Sequence, residues 1–200
     1  MGDLRYRALA AIAISVILLG AIGCGGGGDG ATTGSDTGEA TTDAAPAVSD
    51  EAAADIEVMN VALSQELTLV QVYRHSLRLL RGEDRDIARR FLAQEEEHIN
   101  AITKVLRGLR GETEGEVEEV DYSDVRDAED ALLQLYEITN LQLMHYIDDV
   151  AHLETIAPRA LVATMAANEA QHLTVLRQLL GSDRAGSVPE AFDDGEVPPP

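Results

Sequence analysis

The chain has 200 residues, a length that suits one compact domain with short appendages and argues against a multi-domain machine. It carries 15 Lys and Arg against 36 Asp and Glu, and the resulting net charge of -21 excludes nucleic acid as a leading partner, because phosphates would be repelled. The single cysteine, Cys24, excludes internal disulfides, cysteine-rich zinc sites and cysteine-bound iron–sulfur clusters.

The N-terminus has the pattern of an export signal. Two arginines precede an apolar run over residues 8–23, which is too short and too rich in Gly and Ala at its end for a comfortable membrane span. Small residues then lead directly to Cys24, in a pattern that resembles a bacterial lipobox, with Ala21 where Leu is usual. The pattern predicts a lipoprotein signal peptide over residues 1–23 and a lipidated Cys24 that tethers the protein to the extracytoplasmic face of the cell membrane. A plain signal peptide and an uncleaved anchor remain the alternatives.

Composition divides the remainder into three parts. Residues 24–48 are rich in Gly, Ala and Thr and have no apolar periodicity, which is typical of a flexible tether. Residues 182–200 are acidic and end in three prolines, which predicts a solvated tail. We therefore expect the folded domain over residues 49–181.

Four helices are predicted in that domain, each with apolar side chains at steps of three and four residues. On the third helix the predicted inner face holds Leu133, Glu137, Asn140, Met144 and Ile147. The helix limits follow from capping and breaking residues. The first helix begins after Ser49 and runs to Leu80, and the second follows residues 82–84 and ends near Gly108 and Gly111. The third ends near Leu153, and the fourth has Pro158 in its first turn and ends at Gly181.

The lengths of the connections predict the topology. Short turns join the first helix to the second and the third to the fourth, so each pair forms an antiparallel hairpin. The acidic connector over residues 111–124 can reach about 45 Å at about 3.3 Å per residue, enough to run the length of a helix. Two hairpins joined by one long crossover give an all-α, ferritin-like four-helix bundle.

Each apolar stripe contains side chains that a hydrophobic core would not choose. Burying four carboxylates together is costly, and their like charges repel, so two divalent cations are the simplest neutralising partners. The unit Glu-x-x-His occurs twice, and each copy has a further Glu on the stripe of the preceding helix, which indicates an internal repeat. The candidate metal ligands are Glu66, Glu95, His98, Glu137, Glu169 and His172.

These six residues resemble the ligand set of the ferritin-like di-metal carboxylate superfamily, which includes bacterioferritins and rubrerythrins. The resemblance covers residues 55–181 and implies two Fe ions, with two Mn ions as the alternative, because both metals accept carboxylate and imidazole ligands. It implies that Glu95 and Glu169 bridge the two ions. The implied terminal ligands are Glu66, His98, Glu137 and His172.

Two features of the sequence differ from those of a rubrerythrin peroxidase. Asn140 stands where rubrerythrins offer an additional carboxylate, and the chain has no cysteines for an electron-transfer domain. Tyr73 lies on the same face as Glu66, where it is either a hydrogen-bonding or redox side chain beside the metals or an ordinary core tyrosine. The remaining histidines lie off the stripes, where a surface role is expected: His75, His145 and His152.

Two classes of function follow from these patterns. The first is an oxidoreductase that reacts with dioxygen or peroxide, with ferroxidase or catalase-like turnover. The second is a lipoprotein that binds or sequesters metal without turnover. A metal-free bundle whose Glu and His side chains face solvent is the remaining alternative, and a homodimer is left open.

Overall fold

The computed structural model describes residues 48–183 and 186–187. The predicted signal peptide, the lipidation site Cys24, nearly all of the tether and most of the tail lie outside the described residues. In the described part the chain forms four α-helices and no strand, which confirms the all-α class. They are α1 (Asp50–Ser76), α2 (Gly82–Gly108), α3 (Ala128–His152) and α4 (Ile156–Leu179).

Local signals place the helix starts close to their predicted positions. The Ser49 side chain caps α1 by accepting a hydrogen bond from the Ala52 N–H at 3.3 Å. Asp127 caps α3 by accepting from the N–H groups of Glu129 and Asp130, both at 3.0 Å. These side chains satisfy N–H groups that have no partner inside the helix. The first helix ends at Ser76, earlier than predicted, because the chain turns over the next residues before α2.

The helices form a bundle of two hairpins. Within a hairpin α1 packs on α2 and α3 packs on α4, while α1 also contacts α3 and α2 also contacts α4. The long connector lies along α1 and returns the chain to the end of the bundle where α1 finishes. This is the crossover that the sequence predicts.

The connector is held on α1 by three polar side chains at steps of four residues. Asn60, Ser64 and Thr68 accept hydrogen bonds at 2.9–3.0 Å from the N–H groups of three alternate connector residues, Glu114, Glu116 and Glu118. Four helical residues span about 6.0 Å and two extended residues about 6.6 Å, so the two repeats match.

The connector also approaches the helix closely. A Cβ atom added to Gly115 would lie 2.4 Å from the Leu63 side chain. Glycine is therefore required at this position for the connector to reach its partners on α1.

The inner face of α3 differs from the prediction. Ile147 is 61% exposed, and Leu133 and Met144 are only half-buried. The α3 side chains that point inward include Leu135, Thr139, Gln142 and Tyr146. The predicted face was wrong because α3 carries apolar residues on several sides, so periodicity alone does not fix the rotation of this helix.

Asp55 joins the first hairpin to the second. Its side chain is fully buried in α1 and accepts hydrogen bonds from the N–H groups of Glu154 at 2.7 Å and Thr155 at 2.9 Å, and from the Thr155 hydroxyl. Thr155 is the N-cap of α4, so a carboxylate of α1 meets the positive end of the α4 dipole.

Replacing Asp55 by Ala should lower the free energy of unfolding by roughly 3 kcal/mol, because two backbone N–H groups and one hydroxyl lose a charged acceptor. Urea unfolding followed by circular dichroism measures the change. The matched control is Glu57→Ala, which removes an exposed carboxylate from the same helix and should change stability by less than about 0.5 kcal/mol. Equal stabilities of the two variants would contradict this role of Asp55.

Candidate metal centre

A polar cluster lies in the middle of the bundle between two apolar layers. One layer contains Leu69, Phe91 and Leu173, and the other contains Leu63, Ile102 and Met165. On each helix the polar side chains fall between residues of these two layers, so the cluster is enclosed along the bundle axis. Electrostatic interactions in such a site are screened weakly.

The structure brings four of the six predicted ligands to one point. Glu66, Glu95, His98 and Glu169 each offer a ligand atom, and these atoms all lie within 4.8 Å of one another. The three glutamates are 0% exposed, whereas the His98 side chain is 13% exposed. The donors come from α1, α2 and α4, so the site exists only when both hairpins are packed together.

The His98 ring faces all three carboxylates. Its Nδ1 atom lies 3.0 Å from Glu66 Oε1, 3.1 Å from Glu95 Oε2 and 3.4 Å from Glu169 Oε1. One nitrogen carries at most one proton, so this ring cannot satisfy three carboxylates by hydrogen bonding.

His172 is a fifth predicted ligand at the same cluster. Its Nδ1 atom lies 3.1 Å from Glu95 Oε1 and 3.2 Å from Glu169 Oε2. On the other side of the ring, Nε2 lies 2.8 Å from Gln94 Oε1, an atom that can only accept, so Nε2 carries a proton and donates it. The Phe91 ring stacks on the imidazole with ring centroids 3.9 Å apart. These two contacts fix the ring with Nδ1 toward the carboxylates, an orientation that suits a metal ligand.

Among the described residues, several carboxylate oxygens of the cluster have no hydrogen-bond partner other than the two histidine rings. They are Glu66 Oε2, both oxygens of Glu95 and Glu169 Oε1. Within the described part of the chain, the ion pairs of these carboxylates are with the two histidines alone. Three buried carboxylates with orphaned oxygens fit a bound cation, because an unpaired buried charge is strongly unfavourable.

Burial and the mutual contacts of these side chains shift their pKa values. Burial raises the pKa of Glu66, and burial together with the charge of Glu95 raises the pKa of Glu169 to about 7. Burial alone would lower the pKa of the two histidines, but hydrogen bonds and charges from the glutamates outweigh it and raise the pKa to about 10 for His98 and about 9 for His172. Protons and metal ions therefore compete for the same atoms.

The sixth predicted ligand, Glu137, is not brought to the cluster. It is half-buried on α3, and burial alone raises its pKa, without a contribution from the cluster glutamates. It lies about 140° around the helix from the inward-facing Gln142, at about 100° per residue. The prediction that Glu137 is a ligand depends on an inner face of α3 that differs from the buried face in the structure.

Instead, α3 contributes Gln142 and Tyr146, which the ligand search in the sequence missed. Gln142 Nε2 donates to the Tyr146 hydroxyl at 2.7 Å, and that hydroxyl donates to Glu66 Oε1 at 2.5 Å. Tyr146 is fully buried, and burial raises its pKa well above the usual value, so it stays a donor to the carboxylate. The available signal was their spacing of four residues, which places them on one helix face.

Tyr73 lies close enough to the cluster to feel its charge. It is fully buried, and its pKa is raised well above the usual value by burial and then by the charges of Glu95 and Glu169. Its ring meets Phe91 edge-on at 6.4 Å between centroids. Among the described residues, no carboxylate accepts a hydrogen bond from the Tyr73 hydroxyl, so Tyr73 does not hold a ligand carboxylate in this structure.

The remaining polar residues that the sequence singles out have other surroundings. His75 stacks on Tyr122 of the connector at 3.9 Å, and His145 lies 2.7 Å from Gln65. His152 is exposed, with Nδ1 2.9 Å from the Asp148 carbonyl oxygen. Asn140 is buried on α3.

No helix in the described part of the chain combines the length and apolar character needed to cross a membrane.

Comparisons with solved structures give two proteins with this fold. A conserved hypothetical protein from Mycobacterium tuberculosis superposes with a TM-score of 0.61 at 19% identity, covering 72% of this chain and 99% of its own. A protein from Bacillus anthracis, described as ferritin-like and diiron-carboxylate, superposes with a TM-score of 0.56 at 20% identity, covering 66% of this chain and 99% of its own. No curated protein sequence is detectably similar to this chain.

A family model described as a ferritin-like domain matches residues 54–182, a span that contains all four helices apart from the first residues of α1. With the bundle, its long crossover and the glutamate–histidine cluster at its centre, the match shows that this chain belongs to the ferritin-like domain family.

Proposed function

We propose that this protein binds a di-iron centre between its four helices, with two manganese ions as the alternative, and that the loaded centre reacts with dioxygen or peroxide in a ferroxidase or catalase-like reaction. The observation that carries the proposal is a group of three fully buried glutamates whose charges meet only two imidazole nitrogens in the described part of the chain, with Glu66 Oε2 lacking any hydrogen-bond partner there. The description of the Bacillus anthracis protein as diiron-carboxylate supports the same metal.

The donor set fits iron and manganese. Carboxylate oxygens and imidazole nitrogens suit both metals, and the described residues of the cluster offer no sulfur ligand. Glu66 and His98 would hold one ion and His172 the other, with Glu95 and Glu169 between them. A pair of redox-active ions held by these residues would provide electrons for the reduction of a small oxidant.

The surrounding residues orient the ligands and exclude water. Tyr146 donates to Glu66, and Gln94 accepts from the His172 ring, so each contact fixes a ligand before metal arrives. The apolar layers on both sides leave no polar lining for a large organic substrate. A small oxidant is therefore the expected reactant.

We further propose that the protein acts outside the cytoplasm, tethered through a lipid on Cys24. The support is the sequence alone: a basic start, an apolar run, small residues and then the single cysteine of the chain. Residues 24–48 would hold the domain at a distance from the membrane surface.

Metal sequestration without turnover is the second candidate. It is favoured by the burial of the ligands, because the glutamates are 0% exposed and His98 is the part-exposed ligand past which an oxidant would have to enter. Turnover by the loaded protein separates the two candidates.

Replacing Glu95 or Glu169 by Ala should remove most of the bound metal, since each carboxylate lies beside both histidines. Elemental analysis of protein saturated with iron or manganese and then desalted should give two ions per chain for the parent. The matched control is His152→Ala, which changes an exposed imidazole and should retain both ions. Full loading of the Glu95 variant would contradict the site.

For reactivity, the protein should be loaded with ferrous iron without air and mixed with oxygen or peroxide. We expect iron oxidation to be at least about tenfold faster than with the Glu95→Ala variant, because the ligands hold two metals side by side. The loss of ferrous iron is followed by stopped-flow trapping with a chelator, and oxygen release is measured for the manganese form. If both metal forms react no faster than the variant, sequestration replaces the redox proposal.

For the tether, full-length protein and a Cys24→Ser variant should be expressed in a bacterial host with a labelled fatty acid. The parent should be labelled and found with membranes, whereas the variant should lose the label because it lacks the thiol that is acylated. Equal labelling and membrane association of both proteins would exclude lipidation at Cys24 and leave an uncleaved anchor.

A further inference from the structure

The two hairpins place their polar residues in matching register. Glu66 lies ten residues before Ser76, the end of α1, and Gln142 lies ten residues before His152, the end of α3. The partner helices match as well, because Glu95 lies thirteen residues after the first residue of α2 and Glu169 thirteen after the first residue of α4. Gln142 is thus the counterpart of Glu66 in the second hairpin.

The contacts of Gln142 place it beside the cluster. It is 3% exposed, and its Nε2 donates to the Tyr146 hydroxyl that in turn donates to Glu66. Its other polar atom, Oε1, is buried and has no hydrogen-bond partner among residues 48–183 and 186–187. An amide oxygen without a hydrogen bond at this position can serve as a ligand for a hard cation, since such ions prefer oxygen ligands.

We propose that Gln142 is the α3 ligand of the metal centre and that its neutral amide makes the two metal positions unequal. This inference rests on the proposed metal centre. The position formed with Glu66 and His98 has a terminal carboxylate and binds the first divalent cation tightly. The position formed with Gln142 and His172 has no terminal carboxylate and binds the second cation more weakly.

The charges of the ligands explain why the first cation should bind more tightly than the second. The three cluster glutamates carry -3 in total when ionised, so one divalent ion leaves -1 and a second ion leaves +1. The second ion therefore enters a site whose ligands are already largely neutralised. A carboxylate at position 142 would restore the balance, because four glutamates and two divalent ions sum to zero.

The test is a titration of the full chain, freed of metal by chelation, with Mn²⁺ alone. Calorimetry measures both affinities, and electron paramagnetic resonance distinguishes an isolated ion from a coupled pair. For the parent we expect one tight ion with the spectrum of an isolated Mn²⁺, and a second ion bound at least about tenfold more weakly. Gln142→Glu should strengthen the second binding at least about tenfold and produce the coupled spectrum at two equivalents.

Two further variants keep the result decisive. Gln142→Met, which removes the amide oxygen at similar volume, should abolish the second binding while leaving the first. Glu137→Gln is the matched control on the same helix and should change neither affinity. Circular dichroism confirms that each variant is folded.

Two equal sites in the parent would overturn the inference while leaving the metal centre intact. So would loss of the second ion in Glu137→Gln together with an unchanged second affinity in Gln142→Glu. A parent that binds no Mn²⁺ or Fe²⁺ at all would overturn the metal centre itself.

Discussion

The burial of three carboxylates at one point of the bundle is the constraint on which the rest of the structure depends. Glu66, Glu95 and Glu169 come from three different helices, and each is removed from water completely. Two histidines beside them carry raised pKa values, which lets them balance part of the charge as imidazolium ions. Within the described part of the chain their negative charge is balanced only by these two rings, which makes the cluster a candidate cation site.

The scaffold around the cluster is built to hold this arrangement. Apolar layers above and below keep solvent away, Asp55 holds the start of α4 against α1, and the connector is bound along α1. Neither contact touches the ligands. Ligand geometry in such a bundle is thus a property of helix packing, and the ligand-orienting contacts of Tyr146 and Gln94 refine it.

Much of this fold follows from the sequence because apolar residues recur at steps of three and four along each helix, and breaking residues separate the helices. On α1, α2 and α4 the polar residues within the apolar stripe, Glu66, Glu95 and Glu169, all turned out to be buried together. On α3 the leucines surround the helix, and the predicted stripe runs through Glu137 and Ile147, whereas in the structure Ile147 faces solvent. A search for acidic ligands favours a glutamate over the glutamine that occupies the matching register.

The contacts between the two hairpins could not be predicted from the sequence. The loop after α1 is two residues longer than the loop after α3, so a simple spacing count does not align the two halves. The pair Tyr146 and Glu66 joins residues eighty positions apart, and nothing in local periodicity indicates it. The same holds for Gln94 and His172, whose contact depends on how α2 meets α4.

Anomalous X-ray scattering from crystals of the metal-loaded protein tests the central claim most directly. Data collected at the iron and manganese absorption edges should show a peak enclosed by Glu66, Glu95, His98 and Glu169, with a second peak beside His172. Crystals grown with saturating metal that show no anomalous density at this cluster, or density only on surface carboxylates, would contradict the account.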